Sequence, residues 1–115
     1  MRHLEHRMQK ACVWWFRLQY PHLAGLLFAI PNGGARDAVT GRMLKEEGVL
    51  AGVADLFLSV PSKGKHGLYI EMKTQKGVVS DRQKAFADDV MGMDYEWVVC
   101  RSSDEFRRVV KEYLC

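Results

Sequence analysis

From about residue 2 to residue 20, Leu4, Met8, Ala11, Trp15 and Leu18 recur every three or four positions. That spacing predicts an amphipathic first helix, ended by "YPH". "GLLFAI" is a short apolar run closed by the turn signal "PNGG", and reads as a buried strand. "TGRMLKEEG" then predicts a short helix with Thr40 at its N-cap and Gly48 just past its end. "ADLFLSV" and "GLYIEMK" predict two strands joined by the Pro- and Gly-containing turn "PSKGKHG". "SDRQKAFADDVMGM" opens with Ser80 and Gln83 in capping-box spacing, which predicts a third helix. "YEWVVC" predicts a fourth strand. "SSDEFRRVVKEYL" predicts a last helix, with a second capping box from Ser102 to Glu105.

The order is therefore α-β-α-β-β-α-β-α. The second and third strands should form an antiparallel hairpin, and the helix between the third and fourth favours a parallel crossover. The expected fold is α/β: a mixed four-stranded sheet flanked by helices. A chain of 115 residues without repeats or linker-like segments fits one domain, 1–115.

Alternation along the hairpin places Tyr69, Glu71 and Lys73 on one face of their strand, and Asp55, Phe57 and Ser59 on one face of the other. Antiparallel pairing then makes Asp55 and Glu71 neighbours in space. Two adjacent carboxylates raise each other's pKa unless positive charge sits between them. Lys73 can supply part of that charge, and a divalent cation with oxygen ligands more. A plain cross-strand salt bridge is the simpler reading of so short a pattern.

Composition changes this picture little. Seventeen basic and 14 acidic residues give a net charge of +3, which permits a nucleic-acid partner without demanding one. Cys12, Cys100 and Cys115 are odd in number and irregularly spaced, which fits a reducing cytoplasm better than a disulfide framework. The four histidines form no metal-binding spacing, no apolar run reaches bilayer length, and the N-terminus resembles no targeting signal.

"GVADLFL" followed by "YIEMK", within the longer series "IPNGG", "LKEEGVLAGVADLFL", "GLYIEMK" and "GVVSDRQKAF", resembles the VRR-Nuc (virus-type replication-repair nuclease) branch of the PD-(D/E)xK nuclease superfamily. The resemblance spans nearly the whole chain. It implies a restriction-endonuclease-like fold and a magnesium- or manganese-dependent DNA endonuclease. It also implies selectivity for branched DNA such as Holliday junctions, and a homodimer, as in small phage-like members. By the same resemblance, Asp55 and Glu71 match the metal-binding acids, with the Met72 carbonyl beside them. Lys73 matches the catalytic lysine, Gln83 the glutamine of the following helix, and Glu5 a supporting first-helix acid. The family's proline before the aspartate is Ala54 here, a backbone change that leaves the ligands in place.

Glu5 also reads as an exposed ion-pair partner, and Gln83 as a capping side chain bonded only to Ser80. Asn32 belongs either to a tight turn or to a loop that DNA approaches. Lys63, Lys65, Lys76, Arg82 and Lys84 are expected phosphate contacts, though charge clusters are commonly just solvated. Trp14 is expected either in the core or against a second subunit. The alternative function is a nucleic-acid-binding module that has lost catalysis.

Overall fold

Leu68, Ile70 and Met72 are buried on one side of their strand, while Tyr69 points to the other, as the two-residue period requires. The computed structural model describes residues 2–31 and 38–115. Its strands are β1 (Leu27–Ala29), β2 (Leu56–Leu58), β3 (Leu68–Met72) and β4 (Glu96–Cys100), in spatial order β1-β2-β3-β4. The first two pairings are antiparallel and β3–β4 is parallel. The helices are α1 (Arg2–Gln19), α2 (Ala38–Glu46), α3 (Asp81–Met91) and α4 (Ser103–Leu114). The α3 helix makes the parallel crossover. The fold is mixed α/β, an open sheet flanked by helices.

One sheet face carries the core. Leu56, Leu58, Leu68 and Ile70 meet Cys12 and Phe16 of α1 and Phe106 and Val110 of α4, all fully buried or nearly so. Cys12 and Cys100 lie there as free thiols, and burial pushes the Cys100 thiol up to about 12, so neither is a ready nucleophile. The opposite sheet face, which carries Tyr69 and Glu71, meets α3 through the edge-on contact of Tyr69 with Phe86. Among the described residues no helix is long and apolar enough to cross a membrane.

Three expectations change. Of the apolar run "GLLFAI", only Leu27–Ala29 is strand. Residues Pro21–Leu26 form a 3₁₀ helix opened by Pro21, whose ring fixes φ for a helical first turn. As an edge strand β1 has one neighbour, so Leu27 is buried while Phe28 remains 46% exposed. The α1 helix is turned by roughly 60° from the expected phase, counting 100° per residue. Its buried stripe runs through Met8, Cys12, Trp15 and Phe16, leaving Leu4, Ala11, Trp14 and Leu18 outside. Finally, α2 begins by Ala38, so Thr40 lies inside it and is not its N-cap.

Two glycines act as the turn chemistry demands. Gly48 leaves α2 at φ +106°, and Gly52, at φ +96°, sits where a Cβ would come within 2.7 Å of the Arg82 carbonyl oxygen. Gly52 thereby lets the segment entering β2 press against the first turn of α3.

Candidate functional site

The hairpin register sets Leu56 opposite Ile70 and Phe57 opposite Tyr69, which puts Asp55 across from Glu71 at the open end of the pair. The backbone fixes Asp55. Its Oδ2 accepts the Met72 amide N–H at 2.7 Å, and its carbonyl accepts the Ile30 N–H at 2.9 Å. Glu71 is 2% exposed, whereas Asp55 and Lys73 remain half-buried. The acid pair is thus closed on one side and accessible on the other.

Gln83 joins two roles that the sequence left as alternatives. The Ser80 side chain accepts from the Gln83 N–H at 3.2 Å, and Gln83 Oε1 accepts from the Ser80 N–H at 2.8 Å. The same amide then donates through Nε2 to Glu71 Oε2 at 3.0 Å. The capping box orients α3 and holds the buried carboxyl in one stroke.

The other oxygen, Glu71 Oε1, is buried with no donor. Burial, first, and then the Asp55 carboxylate and a hydrogen bond with it push the Glu71 carboxyl up to about 9. Lys73 opposes that rise and Glu5 adds to it. At neutral pH the metal-free Glu71 carboxyl therefore holds a proton. An orphaned carboxylate oxygen beside a second carboxylate fits a hard divalent cation, which would replace that proton. Among the described residues no three Asp, Glu, His or Cys side chains gather into a metal-holding group. Glu5 is near enough to be felt by Glu71, yet it stands apart from the pair. It borders a groove of about 590 Å³ along α1, shared with Lys10 and Arg17.

The basic residues divide into two groups. Lys76, Arg82 and Lys84 are exposed on the loop and helix that follow β3, on the acid side of the hairpin. Lys63 and Lys65 lie in the turn at the hairpin's opposite end, where the Lys63 ammonium donates to the Glu112 carbonyl at the end of α4. Asn32 lies outside the described residues.

Two features were missed in the sequence. Arg101 Nη1 donates to the carbonyls of Thr74 (2.8 Å), Gln75 (3.3 Å) and Gly77 (2.7 Å), clamping the loop between Lys73 and the capping box. Gly77 lies so close that a Cβ there would be 3.3 Å from Lys73 Cδ. A single arginine after a strand carries no spacing signal that would reveal such a clamp. Nor is the Ser102–Glu105 pair a full capping box: Ser102 accepts from the Glu105 N–H, but Glu105 Oε1 takes the Arg101 N–H instead. The second missed feature is a row of aromatic residues beside the acids, legible only once the registers of β1 and β4 are known.

A family model described as VRR-NUC domain matches residues 3–104. A solved structure titled "VRR_NUC domain protein" superposes with a TM-score of 0.84 at 24% identity, covering 96% of this chain and 87% of that one. No curated protein matches this sequence.

Proposed function

Because the chain belongs to the VRR-NUC domain family, with its nuclease-type fold, we propose that it is a metal-dependent DNA endonuclease. In this reading, 1–115 is one nuclease domain acting in the cytoplasm. The observation that carries it is the buried, donorless Glu71 oxygen beside a backbone-held Asp55. Asp55, Glu71 and the Met72 carbonyl would hold magnesium or manganese, with Glu5 acting from farther out. When bound, the ion supplies an activated water and stabilises charge building on the phosphoryl group.

The chain's own groups supply the rest. The Met72 N–H and Gln83 amide hold the two carboxyls in place, so no reorganisation is needed when a phosphodiester arrives. The Lys73 ammonium, two residues from Glu71 and just past the end of β3, neutralises charge on the attacked phosphate or orients the water. Lys76, Arg82 and Lys84 contact the flanking backbone of the DNA. Lys63 and Lys65 reach only a duplex that extends past the far end of the hairpin. Family resemblance further supports branched DNA as substrate and a homodimer as the working unit.

Asp55→Ala should abolish magnesium- or manganese-dependent cleavage of plasmid and four-way-junction DNA. Lys73→Ala should slow it by about 10²–10⁴-fold. Both should keep wild-type circular dichroism. An active D55A protein overturns the assignment, and a wild-type protein that binds DNA without nicking it favours the non-catalytic module.

A further inference from the structure

One aromatic residue from each strand lies in a single register row: Phe28 faces Phe57, Phe57 faces Tyr69, and Tyr69 faces Trp97. The Phe28–Phe57 ring centroids are 5.8 Å apart at 70°, and the Phe57–Tyr69 centroids 4.4 Å apart at 35°. Phe86 closes the row edge-on over Tyr69 at 5.0 Å. Under Phe57, Gly67 leaves no room for a side chain, since a Cβ there would lie 2.6 Å from the ring. These rings are held in place before any ligand arrives.

The row runs parallel to the one that contains Asp55 and Glu71, on the same sheet face and two residues along the strands. That is about 7 Å along the strands at 3.3–3.4 Å per residue, and Phe28 stands one strand, about 5 Å, to the side of Asp55 and two strands from Glu71. At the α3 side the rings are covered, but at the β1 edge Phe28 is 46% exposed. Core packing explains the covered end, and the edge position of β1 leaves the outer side of the Phe28 ring open to a ligand.

We infer that Phe28 and the ring row behind it form a stacking site for an unpaired nucleobase next to the phosphate held by the acid pair. Its occupant is a nucleotide because the neighbouring acid row seats a phosphodiester in the nuclease reading, and every base offers a π-face to an aromatic ring. A base inside an intact duplex is stacked on its neighbours and cannot also lie on Phe28. The site therefore prefers DNA with an unstacked nucleotide at the cleaved phosphate, as in a splayed arm, flap or branch, over continuous duplex. This inference rests on the nuclease reading for the position of the phosphate.

The test uses the full chain carrying Asp55→Asn, which keeps an oxygen acceptor for the Met72 N–H, so that binding is read without cleavage. Splayed-arm DNA carries 2-aminopurine at the unpaired nucleotide nearest the fork, with a matched continuous duplex as control. Stacking should quench the fluorescence of the splayed arm. Phe28→Ala and Phe28→Leu should remove the quench and weaken splayed-arm binding by about 5–100-fold, with duplex affinity unchanged. Phe28→Trp should retain both. Because leucine keeps the apolar bulk, a loss in F28L separates stacking from packing. Quenching that survives in F28A and F28L, or equal weakening on both DNAs, overturns the inference. Failure of the wild-type protein to cut any DNA, with the Phe28-dependent quench intact, would instead sink the nuclease reading alone.

Discussion

Glu71 is the residue at which folding and chemistry oppose each other. Its carboxyl is raised from the ordinary 4.5 to about 9 by burial and by Asp55. Between those two values the metal-free native state binds a proton that the unfolded chain has released. The stabilising contribution is fully present below about pH 4.5 and is lost as pH rises through about 9. Thermal unfolding in chelator should therefore show a melting temperature that falls over that window, with the fall removed in Glu71→Gln. Saturating magnesium should flatten the wild-type trend, because the ion takes the place of the Glu71 proton and its binding releases that proton to solvent. A wild-type melting temperature in chelator that is flat across the window, and equal to that of E71Q, would show that Glu71 holds no proton there.

At the scale of elements, the loop between β3 and α3 matters as much as the strands. Arg101 holds three of its carbonyls, and the loop in turn lies against the stem of Lys73 at Gly77. Arg101→Ala should cost about 1.5–3 kcal/mol in chemical denaturation, the range for hydrogen bonds involving a charged group. It should also slow single-turnover cleavage at saturating DNA, a readout that loosening Lys76 in the same loop does not move through affinity. Arg101→Lys, with one ammonium in place of a planar fork, should recover only part of either effect. Unchanged cleavage in a destabilised R101A protein would make the clamp purely structural. The strands, the Ser80–Gln83 cap and the Asp55–Glu71 meeting were legible because each rests on a local period or a fixed spacing. The phase of α1 was not, because the helix has apolar residues on two adjoining faces and only the sheet decides which is covered. Arg101 was invisible for a related reason: its partners are backbone carbonyls, which every sequence possesses.

For the whole molecule, that choice of phase leaves an outer α1 stripe of Leu4, Ala11, Trp14 and Leu18. Leu4, Trp14 and Leu18 are 55%, 64% and 69% exposed. Their spacing, with Arg7 between Leu4 and Ala11, is that of alternating three- and four-residue steps, the seam by which one helix packs on another. A two-fold dimer needs a self-complementary patch, and an apolar helix stripe laid against its own copy meets that need. The stripe lies beside the covered face of α1. Light scattering of the wild-type chain should give twice the 13.2 kDa chain mass at micromolar concentration and above. Trp14→Glu should shift the mass toward the monomer, because it replaces the seam's largest apolar side chain with a charge that association must desolvate. Single-strand nicking by the W14E monomer should persist, while simultaneous cutting of both strands of a junction should fall, since the two cuts then come from separate encounters. A wild-type chain that stays monomeric at every concentration, yet still cuts both junction strands together, would remove the dimer from the mechanism.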